Sequence, residues 1–296
     1  NVENYMDYSY CSKMFTQGQV TRMRNALNSG IGGRSNLKSA SNLIATGADG
    51  NLSLCKAEFS ADRTSVCPGE VVTFTDDSYN IVSGWTWTFP GGSPASSTSQ
   101  NPIITYSTPG IYEVTLTATD GSTTDAEVKT SYIRVVPAAG SLPFLEGFET
   151  YSTLNNIDEW EIKNEGGNGF VLATNTGHTG TKSAKLANNN GSTGTMDELI
   201  SSPVDLSSVS TSVTLSYRYA YKRKNTSDND WFRVYVTEDC GQNWDLKKTL
   251  HGFQLSSQTQ TTSFTPASQA DWTTVHMTNI TSQYWVDNFR YKFTFE

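Results

Sequence analysis

The sequence predicts a mainly β protein that consists of two β-sandwiches in series, preceded by a short α-helical segment. Three observations predict this class. From residue 57 onward, apolar and polar side chains alternate with the period of two that half-buried strands require. Groups of Gly, Pro, Asp and Ser, which favour turns, separate the alternating runs. At 296 residues the chain also exceeds the usual size of a single hydrophobic core, so more than one domain is expected.

Residues 1–50 contain a segment with helical periodicity. Thr16 and Gln19 have the spacing of a capping box, which marks the beginning of a helix. Met23 and Leu27 recur at helical spacing, and glycines from Gly30 onward predict where the helix ends. The stretch that follows, as far as residue 51, has weak periodicity and predicts a tail or linker.

Residues 57–137 predict the first sandwich, an arrangement of short strands with an apolar face on each. Val72 and Phe74 share one strand face, and rows of aromatic and aliphatic residues follow on later strands. Those rows comprise Trp85, Trp87 and Phe89, and then Tyr112, Val114, Leu116 and Ala118.

Residues 144–296 predict the second sandwich, after a short linker at 138–143. Phe232, Val234 and Val236 alternate with polar or exposed positions and precede a turn at 238–241. Because the chain stops within a strand-like alternation, we expect this domain to be truncated at its C-terminus.

Composition and charge exclude some classes of function. The net charge of −8 disfavours binding to nucleic acid, since such binding depends on basic side chains. No apolar run approaches the roughly 20 residues of a transmembrane segment. Only 17% of the residues are charged, which is typical of extracellular β-rich domains. We therefore expect a secreted, extracellular protein.

Four cysteines allow three complete disulfide pairings. Cys55 and Cys67 flank the first predicted strand of the first sandwich, so we favour a disulfide between them. Cys240 has no obvious partner, and four buried thiols remain the alternative. A disulfide would fit an oxidising compartment.

Candidate metal ligands are few. His178, His251 and His276 lie far apart in sequence and do not form a zinc-binding signature. Asp228 and Asp230 are calcium candidates because carboxylate oxygens are the ligands that calcium prefers. Asn229, Glu146 and Glu149 are the oxygen ligands that could join them, and a solvated loop is the alternative.

Three tyrosines on one predicted strand leave two interpretations open. Tyr217, Tyr219 and Tyr221 have period-two spacing and therefore share one sheet face. Such a row can stack on sugar rings, and it can equally fill a core.

The N-terminal residues carry a family resemblance. The segment Asn4-Tyr5-Met6-Asp7-Tyr8, with Cys11, Met14 and Phe15, resembles the end of the catalytic domain of pappalysin-type metzincin zinc metalloproteases, the cytophagalysin and ulilysin group. The resemblance implies that Met6 supports the zinc site from beneath and that Tyr8 stabilises the transition state. It also implies that Cys11 pairs with a cysteine further upstream. The zinc ligands themselves are expected outside this chain.

The two sandwiches also resemble known families. Val72-Thr73-Phe74, Trp87-Thr88-Phe89 and the run from Tyr106 to Leu116 resemble a PKD domain, an immunoglobulin-like sandwich. Its usual acidic turn is replaced here by Pro90-Gly91-Gly92, which weakens any expectation of a charged site there. The second sandwich, through Glu146-Gly147-Phe148-Glu149 and Thr179–Ala184, is similar to MAM-like and carbohydrate-binding jelly rolls.

Together these resemblances imply a segment of a secreted bacterial zinc metalloendopeptidase. The accessory domains would act in spacing or in attachment to substrate or cell surface, and the chain alone would be inactive. Expected partners are protein or peptide substrates and, as a further class, glycans. The alternative is a noncatalytic adhesion or glycan-binding protein.

Overall fold

The computed structural model describes residues 17–45, 53–154, 160–165, 169–187 and 194–296, and it is built mainly of β-strands. The chain divides into two compact units. The first comprises Asn1–Glu58, Asp77–Trp85 and Leu116–Glu127. The second comprises Phe59–Asp76, Thr86–Thr115 and Val128–Glu296. The mainly β fold class predicted from the sequence is confirmed.

The first unit begins with helical turns. Helix α1 spans Gln17–Asn28, a 3₁₀ segment spans Ile31–Lys38, and helix α2 spans Ala40–Ala45. The predicted helix is confirmed, and it begins directly after Thr16, which lies outside the described residues. Gly32 and Gly33 have φ angles of 66° and 72°, a left-handed conformation that glycine adopts without strain. Helical turns therefore continue as far as Ala45, within the stretch that the sequence predicted to be a tail or linker.

The first unit also has a small apolar cluster of its own. Leu54, Ala57 and Ala118 are buried together. Asp120 accepts hydrogen bonds from the backbone N–H groups of Thr123 and Leu54, at 2.7 and 2.8 Å. These bonds lower the pKa of the Asp120 carboxyl, with the Thr123 amide contributing most. The carboxylate thus connects the segment at Leu54 to the turn at Thr123.

Nine strands build the first sandwich. They are β1 Phe59–Ala61, β2 Ser65–Val66, β3 Glu70–Asp76, β4 Gly84–Thr88, β5 Gly92–Ser93, β6 Ser96–Ser97, β7 Ile103–Tyr106, β8 Gly110–Thr119 and β9 Thr124–Val135. One sheet has the order β1-β3-β7-β5 and the other the order β2-β9-β8-β4-β6. All described pairings are antiparallel except that of β2 with β9.

An aromatic core fills this sandwich within the second unit. Phe59, Phe74, Trp87 and Phe89 are at most 1% exposed, as the alternating pattern predicts. Trp87 stacks on Phe89 with ring centroids 5.6 Å apart. The indole N–H of Trp87 donates to the Ser99 carbonyl at 2.9 Å, so this buried polar group is satisfied.

Among the described residues from 160 onward, nine further strands build the second sandwich. They are β10 Trp160–Asn164, β11 Phe170–Ala173, β12 Ser183–Leu186, β13 Asp197–Ser201, β14 Val213–Tyr219, β15 Trp231–Thr237, β16 Asp245–His251, β17 Thr273–Ile280 and β18 Arg290–Phe295. Five of them form a sheet with the order β10-β13-β18-β15-β16. Strand pairs β11-β12 and β14-β17 form two smaller sheets.

The core of the second sandwich lies on the face predicted for β15. Val234 and Val236 are fully buried, and Phe232 packs against the same cluster. β18 lies at the centre of the five-stranded sheet and pairs with β13 on one side and β15 on the other. The strand-like alternation near the C-terminus is therefore a strand, while the expected truncation of this domain stays a prediction.

Candidate functional site

The residues with predicted catalytic roles lie at the N-terminus. Met6, Tyr8 and Cys11 fall outside the described residues, so their roles stay predictions. The nearest described element is α1, which follows them in sequence.

The three histidines lie on different elements, and each has its own neighbour. His276 Nδ1 lies 2.8 Å from the Ser216 hydroxyl. His251 stacks on Trp231 with ring centroids 4.3 Å apart, and His178 meets Trp272 edge-on at 6.2 Å. Within the described part of the chain, no group of three or more His, Cys, Asp or Glu side chains could hold a metal ion. The residues seen here therefore do not fit a zinc centre.

The calcium candidates take part in two separate hydrogen-bond networks. Asp228 accepts the backbone N–H groups of Lys224 and Asn225 at 2.8 and 3.0 Å. Asp230 accepts the hydroxyl of Tyr221. These bonds stabilise the loop before β15, and the proposed calcium site stays a prediction.

Glu146 and Glu149 serve different chain segments. Glu146 accepts from the backbone of Phe148 and from the Tyr151 hydroxyl. Glu149 accepts the backbone N–H groups of Thr181 and Lys182 at 2.8 and 2.7 Å. The two sequence segments that carried the resemblance to a jelly roll are thus joined directly by Glu149.

The row of three tyrosines is packed into an aromatic cluster. Tyr217 lies 5.1 Å from the ring of Phe293, and Tyr219 stacks on Phe232 at 5.8 Å. Burial raises the pKa of the Tyr219 phenol, whose hydroxyl donates to the Leu255 carbonyl. Of the two interpretations left open by the sequence, packing is the one that the contacts support.

The predicted disulfide between Cys55 and Cys67 is wrong. Cys67 pairs instead with Cys240, across 173 residues and with a Cα–Cα distance of 5.9 Å. Cys55 is exposed and has no disulfide partner among the described residues. Sequence proximity favoured the local pair, but the fold places the start of β3 beside the turn that follows β15. The two sulfurs are buried together with Val136.

A buried ion pair lies beside this disulfide. Arg290 Nη2 donates to Glu161 at 3.1 Å, while its Nη1 donates to the Cys240 carbonyl at 3.0 Å. Ser65, from the first sandwich, donates its hydroxyl to the same Glu161 oxygen at 3.0 Å. Burial alone would raise the pKa of Glu161, but Arg290 and Lys163 outweigh it and the pKa is lowered.

Further contacts extend the junction between the two sandwiches. Gln242 donates to Glu70 at 3.3 Å, and Arg134 donates to the Trp160 carbonyl at 3.3 Å. We call the set of Ser65, Cys67, Glu161, Cys240 and Arg290 the junction cluster. No local sequence motif predicts this cluster, because its members are spread over more than 200 residues.

Comparison with known families identifies two stretches of the chain. Residues 56–135 match the PKD domain family, which coincides with the first sandwich. Residues 1–28 match the peptidase family M43, described as pregnancy-associated plasma protein-A. The chain therefore carries a PKD domain, preceded by a short stretch similar to a metallopeptidase family.

Comparison with curated proteins and with solved structures is less informative than comparison with families. No curated protein matches the chain. One similar solved structure is described as "Structural basis for the promiscuous specificity of the carbohydrate-binding modules from the beta-sandwich super family". It is 18% identical, covers 81% of this chain and 90% of its own, and has a TM-score of 0.31. At that TM-score the likeness carries no argument about function.

Among the described residues, no helix has both the length and the apolar character that crossing a membrane requires.

Proposed function

We propose that this chain is a part of a secreted zinc metalloendopeptidase of the pappalysin-type metzincins. The observation that carries the proposal is the order of its parts. A stretch similar to peptidase family M43 runs directly into α1 and is followed by a PKD domain and a second sandwich. In the complete enzyme the metal would supply an activated water, with ligands outside this chain.

Tyr8 and Met6 are the residues of this chain that would serve catalysis. A phenol that donates a hydrogen bond to a developing oxyanion contributes about 3 kcal/mol to transition-state stabilisation. We assign that role to Tyr8. Met6 would form the apolar support beneath the metal site.

The two sandwiches would act as an accessory arm that spaces or attaches the catalytic domain. The junction cluster supports this role, because a disulfide and a hydrogen bond from Ser65 to the buried Glu161 join the domains. A joint of this kind restricts the relative motion that is otherwise expected between domains in one chain. An arm with a fixed joint would hold the second sandwich at a set distance from the first.

The proposal is tested by assaying casein hydrolysis with this chain and with the longer protein encoded by its gene. We expect the longer protein to be active and to lose activity with 1,10-phenanthroline, while this chain alone is inert. In the longer protein, Tyr8→Phe should lower kcat about 100-fold with little change in KM. Chelator-sensitive hydrolysis by this chain alone, or an unchanged kcat for the variant, would contradict the proposal.

A noncatalytic adhesion or glycan-binding protein is the second candidate. One observation favours it: the PKD domain and the second sandwich make up most of the described chain. An inactive longer protein that still binds cells or glycans would support this candidate.

A further inference from the structure

We infer that the second sandwich has a binding pocket for a neutral sugar, located between the β11–β12 loop and the loop that leads into β17. The pocket has a volume of about 280 Å³. The inference rests on the attachment role in the proposed function and names the chemistry of the ligand. The lining residues are Asn175, Thr176, Gly177, Gly180, Thr181, Pro266, Ala267, Ser268, Gln269 and Trp272.

The first wall of the pocket is held in place from behind. Glu149 accepts the backbone N–H groups of Thr181 and Lys182, and these bonds lower the pKa of its carboxyl, the Lys182 amide contributing most. A Cβ on Gly180 would lie 2.3 Å from a Glu149 oxygen, and one on Gly177 would lie 2.4 Å from the Lys182 carbonyl oxygen. Gly177 is therefore required by the close approach of backbone atoms, whereas a side chain at residue 180 would displace the Glu149 carboxylate.

The second wall is a short 3₁₀ turn, Gln269–Asp271, fixed by its own cap. Asp271 accepts the backbone N–H groups of Ala267 and Ser268 at 2.9 and 3.0 Å. These hydrogen bonds from Ala267 and Ser268 lower the pKa of Asp271. The charged carboxylate is therefore stabilised by the turn itself.

Two hydrogen bonds join the walls across the base of the pocket. Thr176 donates its hydroxyl to the Pro266 carbonyl at 3.0 Å, and Gln269 donates its side-chain amide to the His178 carbonyl at 3.4 Å. The Trp272 ring is also braced by His178. A site that is already ordered loses little conformational entropy when a ligand binds.

The lining determines the class of ligand. The lining side chains that can hydrogen-bond belong to Asn, Thr, Ser and Gln, and the pocket has an indole on one side. Charged neighbours such as Glu149 and Asp271 are already hydrogen-bonded and do not line the pocket. Neutral donors and acceptors beside an aromatic surface match a sugar, which presents hydroxyl groups at its edge and C–H groups on its face. The volume lies near the lower end of the range for small-molecule sites, which fits a single sugar ring.

The test uses the complete chain and a glycan array that contains neutral and acidic oligosaccharides. Any glycan that binds is then titrated against the wild type and three variants, with folding of each checked by its melting temperature. Trp272→Ala and the milder Asn175→Ala change the pocket. Phe253→Ala is the matched control, because Phe253 is 72% exposed and lies outside the pocket lining.

We expect at least one neutral glycan to bind, with affinity reduced at least tenfold by Trp272→Ala and at least threefold by Asn175→Ala. Phe253→Ala should leave the affinity unchanged. The inference is wrong if only acidic glycans bind, if none binds, or if both pocket variants bind as the wild type does. The protease assay is independent of these results, so failure of the pocket and failure of the proposed enzyme function are distinguishable.

Discussion

Arg290 is a single buried residue that hydrogen-bonds to three separate segments of the chain. Its guanidinium is 2% exposed and donates to Glu161 and to the carbonyls of Ser201 and Cys240. A buried cation is tolerated only when such partners compensate for its lost hydration. Removing one partner therefore exposes the full desolvation cost of the other.

Glu161→Ala should lower the free energy of unfolding by about 3–5 kcal/mol, because it leaves Arg290 buried without its counter-charge. Urea denaturation followed by tryptophan fluorescence measures the change. Lys163→Ala is the matched control, since Lys163 lies 3.8 Å from the same carboxylate but its side chain is 56% exposed. The control should cost no more than about 1 kcal/mol. Equal effects of the two variants would refute the role of burial.

The lowered pKa of Glu161 also predicts that its contribution to stability depends on pH. The pKa of Glu161 is lowered in the folded protein, so its stabilisation is fully present above the ordinary glutamate pKa of about 4.3. It is lost as the pH falls through the lowered folded value. The stability difference between wild type and Glu161→Ala should therefore narrow at acid pH, and a difference that is constant down to pH 2 would contradict this assignment.

At the scale of elements, the loop between β11 and β12 depends on its glycines. A Cβ on Gly177 would lie within 3.1 Å of three backbone atoms of Lys182. These atoms cannot move aside as a flexible side chain would. The loop conformation is therefore specified by a steric requirement as well as by hydrogen bonds.

Gly177→Ala should reduce the free energy of unfolding by about 1–3 kcal/mol, the usual cost of overpacking. Gly147→Ala is the control, because its Cβ would meet nothing closer than 3.9 Å. Differential scanning calorimetry compares the two variants. A lower melting temperature for the control than for Gly177→Ala would show that the close approach does not matter.

The elements also show what sequence reasoning can reach. Period-two alternation identified the buried faces at Phe74, Trp87 and Val234, because that signal is local. It left the role of Tyr217 open, since a core and a sugar platform require the same spacing. The Cys67–Cys240 pair and the pocket at Trp272 depend on segments far apart in sequence, and no local pattern specifies which distant segments meet.

At the scale of the whole molecule, the disulfide is a second covalent link between the two sandwiches, in addition to the chain segment at 138–143. It closes a loop with a sequence separation of 173 residues. A loop of this length removes much conformational freedom from the unfolded chain. The disulfide therefore stabilises the two domains and restricts the motion of one relative to the other.

Cys67→Ser combined with Cys240→Ser should destabilise the protein by up to about 5 kcal/mol in the chain-entropy treatment. It should also increase cleavage by chymotrypsin beside the linker at 138–143, at the exposed Phe144 and Leu145. Cys55→Ser is the matched control, because this thiol is exposed and outside the disulfide. Identical melting temperatures and cleavage rates for both variants would show that the disulfide does not couple the domains.

The position of β18 has a consequence for biosynthesis. Strands β13 and β15 are both made before it, yet each pairs with β18, whose last residue is Phe295. During translation these strands must wait with an unpaired edge, a state prone to aggregation. The strands of the PKD domain all emerge earlier, so this domain can fold first, and Cys67 then waits for a partner 173 residues further along. The sheet can thus close only after β18 is made, and the cysteine pair can be oxidised only after Cys240 is made.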